Sequence, residues 1–480
     1  MAGLDRLTGS DVIAFTMQRL GWPQDIGAVA FLDPAPLLDR DGGLRMAAVR
    51  AAVAAHLHRV PRFRQVVSRP PPGLGRPLWL DAASIDLSYH VTQRRLEPGA
   101  DDEALLEVVD ALRRQPFDPR RPLWRMWLLP GLRDGRVAMY LRVHHALADG
   151  VAGVALLGQL LSFEPEPEPK PEPEPGGPPL PPSRPRPTAG VLLRDQLDRA
   201  ARALVRTSPV LAHPVATAGR IRRLGPALRE IFTAGPAPRT SLNAPLGAER
   251  HMFFVRERLD STRDAARSAG ATVNDLVLAA IAGGLREVLR GRGERVDGLE
   301  LRVAVPVSLH RGPASAALGN AVAPMAVPLP LGEADPHRRV RWIAADTTVR
   351  RSRPRPQLFS SILAAPFVQR ASLFWWRRQR IVNVYVGNVV GPPTALYLAG
   401  ARLLELFPVV PLTGNVTLGV GVLSYNGQLN LTVVMDQRAW PDRSVFRHGL
   451  NASLAALVAP PTTGPVRRGG ARLRTGPVPR

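Results

Sequence analysis

LRVHHALADGVAG, residues 141–153, lies where a strand pattern gives way to a helix pattern. Before it, Val137, Met139, Leu141 and Val143 alternate with Ala138, Tyr140 and Arg142, the two-residue period of a half-buried strand. After it, Val151, Val154, Leu157 and Leu161 recur at helical spacing. His144 to Gly150 is therefore a strand-to-helix loop, and it carries two adjacent histidines followed by Asp149-Gly150.

Three readings of that loop compete. Both histidines could pack and hydrogen-bond at the strand end. A metal site built from His144, His145 and Asp149 fits poorly, because adjacent residues leaving a strand point to opposite faces and no second cluster of His or acidic residues supplies further ligands. The third reading is acid-base catalysis, in which one imidazole faces a channel and takes a proton from a hydroxyl while its neighbour and the Asp shape the loop. A neutral His is poised for that task near pH 7.

Moving outward, residues 44–64 read as a helix that Pro61 ends, residues 104–117 as a second helix, and residues 124–130 as a strand. In the later part residues 271–293 form a well-marked helix pattern. Residues 301–309, 380–390, 417–427 and 428–436 are strand-like. Alternating helices and strands in both parts argue for α/β layers. Residues 358–380, apolar and aromatic and ending in arginines, read as a core helix or as a segment resting on a lipid interface.

Between the two parts, residues 164–187 alternate Glu and Pro, a composition that disfavours helix and sheet and suits an extended spacer. The expected division is an N-terminal domain of residues 1–163, the spacer 164–187, a C-terminal domain of residues 188–459 and a basic disordered tail of residues 460–480. With 480 residues, two cores are expected. Cysteine is absent, so catalysis must run on His, Ser, Asp, Asn or backbone groups. The net charge of +23 does not read as nucleic-acid binding, because the charge is spread along the chain and only 5% of residues are aromatic. Of the basic residues only Lys170 is a lysine, which points to a chain-wide composition bias; anionic ligands or acidic lipid surfaces fit it. Neither a secretory leader nor a run of about 18 apolar residues is seen, and a cytoplasmic protein that does not span a membrane is expected.

HHALADG fits the HHxxxDG pattern of acyltransferases with the chloramphenicol acetyltransferase-like fold, and the chain resembles the bacterial wax ester synthase/diacylglycerol acyltransferase family. Further matches follow in order: LDRLTGSDVIAF near the start, GLGRPLWLD and LSYHV, then RRPLW at residues 120–124 and VNDLVLA at 273–279. VPVSLHRG at 305–312, LGN at 318–320, GNVVGPP at 387–393 and LSYNGQL at 423–429 complete the set. The resemblance implies an α/β fold of two such domains, with mixed β-sheets flanked by helices and an active-site channel between them. It implies transfer of an acyl group from acyl-CoA to diacylglycerol or a long-chain alcohol, with no metal or redox cofactor. Peripheral association with an anionic membrane or lipid-inclusion surface is expected from the arginines and the Phe374-Trp375-Trp376 cluster.

Residue by residue, the resemblance makes His145 the general base, His144 a support, Asp149 a structural group holding the loop and Gly150 the turn. Asn274 and Asp275 match a helix N-terminal motif that is either a cap or part of the chemistry. Ser308, Asn320 and Asn388 match polar positions of later motifs. Two positions depart from the family pattern: Arg125 stands where an acidic residue commonly follows PLW, and Gly387 where serine commonly precedes the later Asn. Two alternatives stand beside this reading. One is an HHxxxDG acyltransferase that draws on a carrier-bound acyl donor, and the other is a lipid-surface protein with little turnover.

Overall fold

The computed structural model describes residues 4–148, 150–165, 186–212, 235–308, 322–352 and 377–459. Two six-stranded sheets organise it. The first runs β11-β12-β1-β6-β5-β4, with β1 (Asp25–Leu32), β4 (Val91–Gln93), β5 (Trp124–Leu129), β6 (Val137–His144), β11 (Tyr397–Leu398) and β12 (Ala401–Val409). The second runs β7-β14-β13-β10-β8-β9, with β7 (Arg250–Arg258), β8 (Glu300–Ser308), β9 (Val322–Pro330), β10 (Val384–Val390), β13 (Leu418–Tyr425) and β14 (Gln428–Asp436). Both are mixed: β4 lies parallel to β5 and β10 parallel to β8 and β13, while the other pairs are antiparallel. A separate hairpin joins β2 (Gln65–Ser68) and β3 (Leu78–Asp81).

The expected strand at 137–143 is β6, and every one of its residues is buried, so both faces are covered and its alternation does not mark a solvent side. One face packs in a core with Leu141, Val143 and the apolar residues of α2 (Met46–His56) and α5 (Gly150–Leu160). The other carries Ala138 and Tyr140 against α4 (Asp102–Arg113), whose Leu105, Leu106, Val109 and Leu112 are buried. The helix expected over residues 44–64 is shorter. It ends at His56 and continues as 3-10 turns at Leu57–Arg59 and Pro61–Arg64.

The second sheet is covered by α8 (Val273–Gly291), whose residues from Asp275 to Leu285 are all buried, and by α10 (Arg443–Val458). The division of the chain at the spacer does not coincide with the two sheets. Residues 397–409 lie beyond the spacer in sequence, yet β11 and β12 complete the first sheet, with β12 antiparallel to β1. Ala399 and Gly400, with φ of 49° and 82°, make the tight turn between them. A third core of Phe31, Phe254, Phe407, Met252, Leu412 and Val434 joins the sheets. Most of the spacer (166–185), the whole of the tail (460–480) and most of the segment at 358–380 lie outside the described residues.

The remaining helices are α1 (Gly9–Arg19), the single turn α3 (Leu87–His90), α6 (Ala189–Ala212), α7 (Leu259–Ser268) and α9 (Pro336–Ser352). Among the described residues no single helix is long and apolar enough to cross a membrane. The bent pair α7–α8 passes that test by length and composition together, but the apolar side chains of α8 form the core of the second sheet.

Candidate active site

β6 ends at His144, opposite Asp25 in the register with β1, and the chain turns there toward α5. The two histidines part company at this point. His144 is fully buried. Its Nδ1 accepts the backbone N–H of Ala146 at 3.0 Å, so the ring proton sits on Nε2, which donates to Gln18 Oε1 at 2.6 Å. The ring stacks on Phe15 at 4.4 Å. Burial pushes its pKa down to about 3, so it stays neutral at any ordinary pH with both nitrogens committed.

His145 takes a different environment. Its backbone N–H donates to Gln24 O at 2.8 Å, which pins the turn, and its side chain is only half-buried. Burial raises the pKa of Asp11 on α1 and Asp25 on β1, and the His145 ring is among the neighbours that offset part of that rise.

Asp25 is the second anchor of the loop. Arg142 reaches its Oδ2 with Nη2 at 2.6 Å and Nε at 2.9 Å. With Nη1 it also holds the Leu112 and Gln115 carbonyls at the end of α4, at 3.0 and 2.6 Å. The pair is sealed from solvent. One arginine thus ties β1, β6 and α4 together two residues before the histidines. Sequence reasoning missed Gln18, Asp25 and Arg142, since their partners lie 27 to 126 residues away and no local spacing marks them.

The later candidates fall into two groups. Asn274, on the first turn of α8, accepts the amide N–H of Asn388 on β10 at 3.2 Å, so the structure brings these two together. Both side chains are half-buried. The start of α5 meets the same strand: a Cβ on Gly150 would lie 3.4 Å from Val389, next to Asn388.

Asp275 is buried in a different role. It closes a capping box with Thr272 and accepts the Thr347 hydroxyl at 2.8 Å and Arg351 at 3.2 Å. Both of its carboxylate oxygens accept hydrogen bonds from these partners. Ser308 closes β8, but its side chain, Asn320 and Asp149 lie outside the described residues.

Among the described residues no group of three or more His, Cys, Asp or Glu side chains is placed to hold a metal ion. Arg125, the first departure, is held between the rings of Tyr89 and Trp127 at 4.6 and 4.7 Å. It is an aromatic-stacking residue on β5. Gly387 lies opposite Gly421 in the register of β10 and β13. A Cβ there would meet nothing nearer than Tyr385 Cε1 at 3.7 Å, so a serine side chain fits this backbone.

Residues 7–277 match the wax ester synthase/diacylglycerol acyltransferase catalytic domain, and residues 318–458 match the C-terminal domain of the same enzymes. The chain belongs to this acyltransferase family. Among its relatives is a Mycobacterium tuberculosis H37Rv protein provisionally named a diacylglycerol O-acyltransferase, 31% identical over 425 residues, covering 85% of this chain and 87% of that protein. Another, named "Probable diacyglycerol O-acyltransferase tgs1" in the same organism, is 29% identical and covers 90% of this chain and 91% of its own.

The wax ester synthase/diacylglycerol acyltransferase of Marinobacter aquaeolei VT8 has a similar structure. Its TM-score is 0.66 at 24% identity, with 95% of this chain and 98% of that one covered. The first condensation domain of the calcium-dependent antibiotic synthetase is similar at TM-score 0.60 and 18% identity, over 96% and 98% of the two chains. The fold is the chloramphenicol acetyltransferase-like pair of α/β domains.

Proposed function

We propose that this acyltransferase is an acyl-CoA-dependent O-acyltransferase that converts diacylglycerol to triacylglycerol, with long-chain alcohols as a second acceptor class. The observation that carries the proposal is the inequality of the histidine pair: one ring is sealed, neutral and doubly hydrogen-bonded, while its neighbour is half-buried on the turn beside it.

An alcohol is a poor nucleophile toward a thioester until its proton is removed as the new bond forms. In the scheme His145 takes the hydroxyl proton, and the alcohol oxygen bonds to the thioester carbonyl carbon. The tetrahedral intermediate then breaks its C–S bond. The CoA sulfur leaves and receives the proton from His145, giving ester and free CoA with no covalent acyl-enzyme. Acyl-CoA is a substrate here and no cofactor takes part.

His144 positions the loop through Gln18 and Ala146; the roles proposed for Asp149 and Gly150 are to hold the loop and to permit its turn. Among the described residues Asn388 gives one amide N–H to Asn274, and its second N–H is suited to hydrogen-bond an oxyanion. The relatives named as diacylglycerol O-acyltransferases support the choice of acceptor. Work at an anionic membrane or lipid-droplet surface on the cytoplasmic side follows from the lipid acceptor and the net charge of +23. The aromatic cluster Phe374–Trp375–Trp376, expected to contact such a surface, lies outside the described residues.

The test is CoA release from palmitoyl-CoA by the purified protein with diacylglycerol, hexadecanol, a short alcohol or no acceptor. Release that depends on diacylglycerol, with triacylglycerol as product, is expected. Turnover only with a carrier-bound acyl group, or none with any alcohol, would overturn the proposal.

A further inference from the structure

Arg125 carries a charge that the fold leaves unmatched. On β5 it stands directly opposite Arg142 on β6, so two guanidinium groups share one face of the first sheet. Like charges at such a pair repel. Arg142 is neutralised by Asp25 at 2.6 Å. Close by, Asp86 takes Arg121 at 2.9 Å and Asp118 takes Arg120 at 3.2 Å. Each of these acids thus has its own arginine, and among the described residues none is left for Arg125.

The side chain is nonetheless held in place. Its guanidinium lies against the rings of Tyr89 and Trp127 at 4.6 and 4.7 Å, and Arg121 rests on the same Tyr89 ring at 4.1 Å. A guanidinium stacked on aromatic rings turns its N–H edge, rather than its face, toward an acceptor. Arg125 Nε is buried without one, and a buried donor with no acceptor is unfavourable. Burial holds the pKa of Arg125 below the usual arginine range; Tyr89 opposes that shift, and the charges of Arg142 and Arg121 add to it. An anion at the open edge would satisfy the donor and offset the repulsion. The acidic residue that commonly stands at this position would instead face Arg142 as an opposite charge.

The position is close to the histidine turn. Leu123, two residues before Arg125, accepts the His144 N–H at 2.9 Å. From Arg142, the cross-strand partner, to His145 is about 10 Å of extended chain. A guanidinium edge matches the paired oxygens of a phosphate or a carboxylate. Acyl-CoA has no carboxylate, but it carries a diphosphate and a 3′-phosphate at the end of a flexible pantetheine arm. We propose that Arg125 binds a phosphate group of the acyl-CoA donor. This assignment rests on the acyl-CoA reading above and adds to it the residue that holds the nucleotide end of the donor.

The experiment uses the full chain and its Arg125→Gln and Arg125→Lys variants, with thermal melting as the check on folding. Titration calorimetry without an acceptor gives the affinity of each for octanoyl-CoA, for its dephospho form, which lacks the 3′-phosphate, and for octanoyl-pantetheine, which lacks every phosphate. KM and kcat are measured for palmitoyl-CoA with diacylglycerol. Arg125→Gln is expected to bind octanoyl-CoA about tenfold more weakly than the native chain. Its KM for palmitoyl-CoA should rise by a similar factor, the loss falling on KM rather than on kcat. Arg125→Lys, which keeps the charge without the forked edge, should fall between the two. Affinity for octanoyl-pantetheine should be the same in all three. If Arg125→Gln also weakens the dephospho form, the residue holds the diphosphate; if it does not, the residue holds the 3′-phosphate.

A folded Arg125→Gln chain that binds octanoyl-CoA as tightly as the native chain would overturn the proposal. An equal loss for octanoyl-pantetheine would overturn it too, making Arg125 a packing residue only. Should Arg125→Gln not fold, Arg125→Lys decides on the same readings. A native chain that binds octanoyl-CoA but releases no CoA with any alcohol would contradict the acyltransfer reading, while the assignment of Arg125 is still read from binding. A native chain that does not bind octanoyl-CoA would remove both.

Discussion

At the scale of single residues, the histidine pair shows how position on a strand separates two identical side chains. His144 is the last residue of β6 and faces Phe15 and Gln18 in the interior; His145 is one step beyond, on the turn. Its burial has a consequence for stability. A histidine whose folded pKa is depressed must stay neutral in the native state but takes up a proton when unfolded. Stability from this source is therefore complete above about 6.5 and falls as pH drops toward the folded value. His144 at about 3 and His90 at about 4, both lowered first by burial, act over that window. Each contributes about 1.4 kcal/mol of loss per pH unit below 6.5 until its folded pKa is reached. Urea unfolding between pH 7 and 4 should show this slope. His90→Gln, which removes one of the two groups, should flatten it, and an unchanged slope would mean that His90 is not held neutral by the fold. The motif itself was legible in the sequence, including the inequality of its two members. Asp25–Arg142 and the Gln18 contact were not, because they are made by strand register and helix docking.

At the scale of elements, glycines set how closely layers approach. On β1, a Cβ at Gly27 would lie 2.8 Å from Tyr140 Cε2 and 3.3 Å from Val409 Cβ, so the three central strands of the first sheet admit no side chain there. At the crossing of α8 and α10, a Cβ on Gly449 would stand 3.1 Å from the Gly284 Cα. Gly449→Val should cost about 1–3 kcal/mol by overpacking, read as a lower urea midpoint with an unchanged slope. Gly387→Ser on β10 should leave stability unchanged within about 1 kcal/mol, since an added Cβ would make only ordinary van der Waals contacts with Tyr385 and Val410. Helices at 102–113 and 273–291 and strands at 384–390, 418–425 and 428–436 were readable because their apolar periods are strong. β1 and β7 escaped notice, and so did β9, whose Pro328 and Pro330 disguise an edge strand.

At the scale of the whole molecule, the two sheets are not independent bodies, although the spacer suggested a clean cut. The return of residues 397–409 to the first sheet is invisible to local pattern, because β12 looks like any other strand and only its partner β1 reveals its sheet. An ionic cluster reinforces the seam. Arg256 on β7 donates to Glu405 at 2.9 and 3.0 Å and to Asp102 at 2.7 Å, Arg136 donates to the same Glu405 at 3.0 Å, and the Arg256 guanidinium lies over Phe407 at 4.9 Å. Calorimetry of the intact chain should therefore show one cooperative transition. A fragment of residues 1–165, deprived of β11 and β12, should fail to fold alone, and a native-like circular dichroism spectrum and sharp melt from it would contradict this view. Glu405→Gln should lower stability by about 1 kcal/mol, since it leaves two arginines short of charge in a part-exposed network. The start of α5, five residues past His145, meets β10 at Val389, next to Asn388.

The central claim is that His145 removes the proton of the attacking alcohol, and the most direct measurement compares CoA release from palmitoyl-CoA and diacylglycerol by the native chain, His145→Ala and His144→Ala. Thermal melting and acyl-CoA binding would be followed alongside. The account predicts a folded His145→Ala protein that still binds acyl-CoA and turns over about 10²- to 10⁴-fold more slowly. His144→Ala should lose less turnover and more stability, because it removes two buried hydrogen bonds and a ring stack. Near-native turnover by a folded His145→Ala protein would contradict the mechanism.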